Sequence, residues 1–217
     1  MPLRLALYSD QIAPVTDPID RFLLEWLPRS GGTIGYIPSS PDPERAWLSA
    51  LARYYDRYGL ELMFFGLEDE FDASRLGALL SCDAIHLTGG NTFRFLYWLQ
   101  ARELMDEIRN YANSGGVLIG VSAGAILMTP DISTSALCGD VAYPGLTDTK
   151  GLALVDFAIV PHFDRSEELA AEAASYASRF KGTVYAVPDG AGIVVDGEIC
   201  RIVGQVQAFE PINETRP

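Results

Sequence analysis

The sequence predicts an α/β protein with a mostly parallel central sheet, helices on both faces of that sheet and antiparallel strands near the C-terminus. Three observations lead to this fold class. Short apolar segments alternate with segments of helical periodicity along most of the chain. Turns rich in glycine and proline separate these segments. Near the C-terminus, two apolar segments are joined by the tight turn Asp196-Gly197, which is typical of an antiparallel hairpin.

The predicted strands are short apolar runs that end at glycine, proline, serine or aspartate. They lie at residues 3–8, 33–37, 60–65, 84–88, 117–121, 157–160, 183–187, 192–195 and 199–206.

The predicted helices carry apolar residues every three or four positions, which places those side chains on one face. They lie at residues 17–27, 41–58, 73–80, 93–99, 104–112 and 165–180, with a further helix of small residues after residue 122. Residues 130–150 lack a regular pattern and are predicted to form a loop with a short strand. Because no repeat or linker divides the chain, we expect one α/β domain over residues 1–217.

Composition excludes several classes of function. Of the 217 residues 48% are hydrophobic, which is enough for a buried core, and the net charge of −13 disfavours a nucleic acid or an anionic membrane as partner. No apolar run approaches the roughly 18 residues that span a bilayer, and the N-terminus shows no cleavage signal. The three cysteines lie far apart and do not resemble a disulfide framework or a zinc site. We therefore expect a cytoplasmic protein; its oligomeric state stays open between a monomer and a homodimer.

The segment Gly120-Val121-Ser122-Ala123-Gly124 matches the G-x-S-x-G pattern of a nucleophile elbow. A serine at a sharp turn between a strand and a helix projects from the carboxyl end of the sheet. The glycines on either side let neighbouring chain pass close to it. The alternative is an ordinary strand–turn–helix connection in which the serine caps the helix.

Three other loops follow predicted strands, at residues 89–91, 161–164 and 188–190, and should meet the serine at the carboxyl edge of the sheet. A serine nucleophile needs a base, an acid that orients the base, and donors for the oxyanion. The chain has two histidines. His86 lies inside a strand and is predicted to pack against the sheet, which leaves His162 as the candidate base.

Two aspartates compete as the orienting acid. Asp189 lies at a strand end between proline and glycine, whereas Asp140 follows the elbow helix. Asp140 would give the chain order of the α/β-hydrolases, and Asp189 would not. The backbone N–H groups of Gly90 and Ala123 are the candidate oxyanion donors. Asn91 is a candidate substrate-binding residue, with helix capping as its alternative.

Four segments together carry a resemblance to a known family. They are Gly89-Gly90-Asn91-Thr92-Phe93, Gly120-Val121-Ser122-Ala123-Gly124-Ala125, Pro161-His162-Phe163 and Pro188-Asp189-Gly190. In this order they resemble the dipeptidase E and cyanophycinase family of serine peptidases, over roughly residues 1–210.

The resemblance implies a class I glutamine-amidotransferase-like fold, with Ser122 as nucleophile and His162 as base. It further implies oxyanion donors from Gly90 and Ala123, and neither a metal nor an organic cofactor. The chain departs from dipeptidase E in two places. Aspartate replaces glutamate at residue 189, and no arginine between the histidine and the acid clearly matches the one that holds an N-terminal aspartate.

Of the arginines in that segment, Arg165 is the candidate for substrate binding because it follows His162 closely, whereas Arg179 is expected to face solvent. The predicted function is a serine exopeptidase that cleaves short peptides through an acyl-enzyme on Ser122, with dipeptides bearing an N-terminal aspartate as a hypothesis. We expect its pocket between loops 10–18 and 130–150. The alternatives are a cyanophycinase-like hydrolase of Asp-Arg polymers and a non-catalytic member of the fold that binds a small ligand.

Overall fold

The computed structural model describes residues 1–211; residues 212–217 of the predicted domain lie outside this part. Its strands are β1 (Arg4–Tyr8), β2 (Gly32–Ile37), β3 (Leu60–Phe64), β4 (Ala84–Leu87), β5 (Val117–Val121), β6 (Ala158–Pro161), β7 (Val184–Val187), β8 (Gly192–Asp196), β9 (Ile199–Val203) and β10 (Gln207–Phe209). Its α-helices are α1 (Asp17–Trp26), α2 (Ala46–Asp56), α3 (Leu76–Leu79), α4 (Thr92–Ala101), α5 (Leu104–Asn113), α6 (Ala123–Leu127) and α7 (Glu167–Phe180).

The central sheet has seven strands in the order β3-β2-β4-β5-β1-β8-β9. The first five in this order are parallel, and β8 and β9 are antiparallel to their neighbours. All five residues of β5, Val117–Val121, are buried, as expected for a strand covered on both faces. The predicted sheet, mostly parallel with antiparallel strands near the C-terminus, is confirmed.

Helices cover both faces of this sheet, as predicted. One apolar core lies between the sheet and helices α4, α5 and α6, with Phe95 and Ile108 fully buried in it. A second core lies on the opposite face against α1 and α2, with Leu23 and Tyr55 fully buried. No helix among residues 1–211 is long and apolar enough to cross a membrane.

Not every strand near the C-terminus joins the central sheet. Strands β6 and β7 pair in parallel, and β10 joins β7 in antiparallel register, so that they form a separate three-stranded sheet. Helix α7 packs on this second sheet through a third apolar core. An apolar run indicates a buried strand but carries no information about which strand it pairs with, and pairing is what separates the two sheets.

Other differences concern boundaries. The helix predicted at 41–58 begins at Ala46, because the Asp42 carboxylate accepts hydrogen bonds from the N–H groups of Ala46 and Leu48, both at 2.9 Å. Residues 130–150 form a 3-10 helix at Ser133–Cys138 and a single bridge between Asp131 and Lys150 instead of a strand. The strand predicted at 199–206 ends at Val203.

Candidate active site

Ser122 lies at a sharp turn between β5 and α6. Its backbone has φ 50° and ψ −106°, a conformation that non-glycine residues rarely adopt and that stores strain. The turn is held by main-chain bonds: Ser122 N donates to Tyr8 O at 2.9 Å, and Ile126 N donates to Ser122 O at 3.0 Å. The Ser122 side chain makes no capping hydrogen bond to α6. The helix-cap alternative is therefore wrong, and the hydroxyl is free for another partner.

The two glycines of the motif allow this turn because the chain around them is too close for a side chain. A Cβ atom on Gly120 would lie 2.6 Å from the carbonyl carbon of Gly124. A Cβ atom on Gly124 would lie 2.1 Å from the backbone oxygen of Leu87 in β4. Both contacts are with backbone, which cannot rotate away. The glycines thus bring α6 directly against the ends of β4 and β5.

Three side chains from different strand ends form a hydrogen-bonded chain. His162 Nε2 lies 2.8 Å from Ser122 Oγ, and His162 Nδ1 lies 2.6 Å from Asp189 Oδ1. Ser122 follows β5 of the central sheet, whereas His162 and Asp189 follow β6 and β7 of the second sheet. The side chains of His162 and Asp189 are 44% and 49% exposed, so substrate and water can reach the group.

The structure separates the two competing carboxylates. Asp140 Oδ2 accepts a hydrogen bond from Thr92 N at 2.8 Å, at the start of α4, whereas His162 bonds Asp189. The second histidine, His86, is 2% exposed in β4, where it packs as predicted. Burial lowers the pKa of His86 to about 3, which keeps its ring neutral.

The candidate oxyanion donors lie beside Ser122. Gly90 has φ 127°, a conformation that favours glycine, and a Cβ atom there would lie 2.1 Å from Ser39 Oγ. Ala123 is the first residue of α6, so its N–H has no acceptor within the helix. Neither N–H donates a hydrogen bond to another group in the described part of the chain.

The structure does not bring the two candidate substrate-binding residues into the site. Asn91 caps α4: its Oδ1 accepts a hydrogen bond from Arg94 N at 2.8 Å, and its Nδ2 donates to Val141 O. Arg165 is exposed and donates a hydrogen bond to Gln205 Oε1. Neither residue lines the cavity beside Ser122.

That cavity has a volume of about 520 Å³ and opens next to Ser122, His162 and Gly90. Asp10 and Gln11, which follow β1, form part of its wall, but residues 130–150 do not. The expected wall from that second loop is therefore wrong, and helix α2 takes its place. Among residues 1–211 no group of three or more histidine, cysteine, aspartate or glutamate side chains is placed to hold a metal ion.

Sequence reasoning missed one residue at the centre of the site. Ser9, fully buried after β1, accepts a hydrogen bond from His162 N at 2.8 Å and donates one from Oγ to Asp189 Oδ1 at 2.9 Å. It thereby links the backbone of the histidine to the carboxylate. The available signal was its position, because Ser9 directly follows β1, the strand that pairs with β5, and so reaches the same edge as Ser122.

A sequence profile of peptidase family S51 matches residues 7–203, which include Ser9, Ser122, His162 and Asp189. The chain belongs to peptidase family S51.

Among curated relatives of this chain, a peptidase E of a Nostoc species is 33% identical over 122 residues, covering 53% of this chain and 49% of the relative. An uncharacterized peptidase of Listeria innocua serovar 6a is 28% identical over 137 residues, covering 62% of this chain and 66% of the relative. The matched segment thus spans about half to two thirds of the length of these relatives.

Two solved structures share the fold of this S51 family member. A peptidase E candidate from Listeria monocytogenes EGD-e superposes with a TM-score of 0.78 at 23% identity, covering 94% of this chain and 100% of that chain. A peptidase from an acI-B1 Actinobacterium superposes with a TM-score of 0.73 at 18% identity, covering 98% of this chain and 96% of that chain. At these identities the likeness concerns the fold.

Proposed function

We propose that this protein is a serine exopeptidase that hydrolyses short peptides. The observation that carries the proposal is the hydrogen-bonded chain from Asp189 through His162 to Ser122, with the serine on a strained elbow. Membership of peptidase family S51 supports the same reaction class. The Nostoc relative, named peptidase E, supports it as well.

The hydrogen bonds support a role for each group in this proposal. His162 Nδ1–H donates a hydrogen bond to the Asp189 carboxylate, and this holds the tautomer whose Nε2 is unprotonated and able to take the Ser122 proton. Ser122 Oγ then attacks the scissile carbonyl carbon, and the N–H groups of Gly90 and Ala123 bind the resulting oxyanion. His162 returns its proton to the leaving amine, and an acyl-enzyme remains.

Hydrolysis of the acyl-enzyme repeats the sequence with water. His162 takes a proton from the water molecule as its oxygen attacks the ester carbonyl. The ester bond to Ser122 breaks, and the proton passes back to Ser122 Oγ. The second product is the carboxylic acid of the cleaved peptide. Four proton transfers through one histidine, two in each half of the reaction, therefore complete the cycle.

The cavity supports a short substrate. Its volume of about 520 Å³ lies within the range of roughly 300–1,000 Å³ that is usual for small-molecule sites. A dipeptide or tripeptide is of this class, whereas a polymer of Asp-Arg units would need an extended open groove. We therefore favour a peptidase of small substrates over a cyanophycinase-like hydrolase.

A serine-directed phosphonate tests the proposal. We expect it to modify Ser122 alone, because His162 activates only this hydroxyl, and to abolish cleavage of a panel of free dipeptides and tripeptides. Mass spectrometry of the digested protein locates the label, and chromatography follows the peptides. Absence of both labelling and cleavage would contradict the proposal and support the non-catalytic alternative.

We propose Ser9 as a positioning residue, and Ser9→Ala tests this role. The variant loses the hydrogen bonds to Asp189 and to the His162 backbone, each worth about 1–3 kcal/mol, so we expect kcat to fall roughly 10- to 100-fold with little change in KM. Steady-state kinetics on one peptide measures both constants.

The matched control for Ser9→Ala is Ser135→Ala. Ser135 is also fully buried and donates a hydrogen bond to the backbone oxygen of Ile132, but within residues 1–211 it makes no hydrogen bond to His162 or Asp189. We expect Ser135→Ala to lower the thermal midpoint by about as much as Ser9→Ala does, but to leave kcat unchanged. Equal losses of kcat in both variants would reduce Ser9 to a purely structural role.

A further inference from the structure

Within residues 1–211, no lysine or arginine lines the cavity beside Ser122, and the charged side chains in its wall are Asp10 and Asp42. Both oxygens of Asp42 are already bonded to the first turn of α2, so this carboxylate is structural. Asp10 Oδ1 accepts a hydrogen bond from Gln11 N at 2.8 Å, and Oδ2 has no partner within residues 1–211. One free carboxylate therefore faces a substrate in this cavity, with no cation to oppose it.

The nearby Arg45 does not supply that cation. Its guanidinium pairs with Glu70 and lies over the ring of Phe64, 3.9 Å from the centroid, and it does not line the cavity. Arg165, the arginine expected to bind an acidic substrate, is bonded to Gln205 outside the cavity.

His86 is part of the cavity wall and is neutral. Gln11 Nε2 donates to Tyr55 OH at 3.0 Å, so the single hydroxyl proton of Tyr55 is directed to His86 Nδ1 at 2.9 Å. His86 then carries its own proton on Nε2, which has no acceptor among the described residues. This group can donate a hydrogen bond to a neutral oxygen but cannot neutralise a carboxylate.

The remaining wall is aromatic and aliphatic. Tyr36, Tyr54 and Leu51 line it, and Trp47 at the rim is 73% exposed. An apolar side chain that covered these groups would gain roughly 25 cal/mol for each Å² of apolar surface removed from water. An acidic side chain would instead lose hydration next to Asp10.

We propose that this cavity binds the side chain of the N-terminal substrate residue, preferring aromatic or long aliphatic side chains to aspartate and glutamate, while Asp10 accepts the free α-ammonium group. The inference rests on the proposed function. In a dipeptide the N-terminal Cα is bonded to the carbonyl carbon that Ser122 attacks, so its ammonium and side chain are the substituents nearest to the cavity. This assignment replaces the hypothesis of an aspartyl dipeptide as substrate.

Hydrolysis of Phe-Leu and Asp-Leu tests the proposal. We expect kcat/KM for Phe-Leu to exceed that for Asp-Leu by about tenfold or more, since an uncompensated like-charge contact costs more than 1.4 kcal/mol. Ala50→Arg adds a cation to the cavity wall at an exposed position of α2 and should reduce this ratio by about fivefold or more. Ser49→Arg adds the same charge at the neighbouring exposed position, outside the cavity, and should leave the ratio within about twofold.

The outcomes separate this inference from the proposed function. Faster cleavage of Asp-Leu by wild type, lost in Ser122→Ala, would overturn the specificity and leave the peptidase in place. If wild type cleaved neither peptide, the proposed function would fail for dipeptides. Calorimetry of the Ser122→Ala variant would then measure the affinity for both peptides and so test the proposed side-chain preference of the cavity. Tighter binding of Phe-Leu supports the proposed preference. Equal binding, tighter binding of Asp-Leu, or no binding of either peptide overturns it.

Discussion

Replacing Ser122 by alanine is expected to abolish peptide hydrolysis, with kcat falling by several orders of magnitude, up to about 10⁶-fold. The hydroxyl lies 2.8 Å from His162 Nε2, and alanine offers no atom to form the acyl-enzyme. Any remaining rate would come from the oxyanion donors and from binding alone. Initial rates with a cleaved dipeptide, measured over long incubations, would quantify the loss.

The fold should survive this change. The main-chain bonds that hold the elbow use the N–H and C=O groups of Ser122, which alanine retains. Ser114→Ala, at an exposed serine after α5, is the matched control and should keep full activity. If Ser122→Ala cleaved peptides at the rate of the control, Ser122 would be only a turn residue and another nucleophile would be needed.

The second large effect is expected from Asp189→Asn, which should lower kcat by roughly 10³- to 10⁴-fold. The carboxylate holds the Nδ1 proton of His162, so that Nε2 can accept the proton of Ser122. An amide can present its NH₂ group to Nδ1 instead, which stabilises the tautomer that carries the proton on Nε2 and blocks the base. Steady-state kinetics near neutral pH measures the effect.

Asp140→Asn is the matched control for Asp189→Asn. Asp140 bonds the N–H of Thr92 at the start of α4, so the change should lower the thermal midpoint and leave kcat within about threefold. The reverse pattern, in which Asp140→Asn loses activity and Asp189→Asn retains it, would assign the acid to Asp140. Comparable losses in both variants would show that the hydrogen bond at 2.6 Å does not decide the chemistry.

The sequence by itself determined the fold class and the loops that carry the site. Alternation of apolar runs and amphipathic helices predicts a parallel sheet, because each pattern reflects which faces of an element are buried. The elbow was readable because its glycines at residues 120 and 124 meet backbone atoms that leave no room for a side chain. A pair of histidines, of which one lies inside a strand, limited the choice of base to His162.

Contacts between residues that lie far apart in the sequence were decided by the tertiary structure alone. Three contacts join segments that no local pattern relates: His162 with Asp189 instead of Asp140, Ser9 with Asp189, and β6 with β7. The position of Arg165 outside the cavity likewise follows from the tertiary structure and not from a local sequence pattern. Sequence periodicity records which side of each element is buried, whereas a site is made of side chains that meet across strand ends. Only the packing of both sheets brings those ends together.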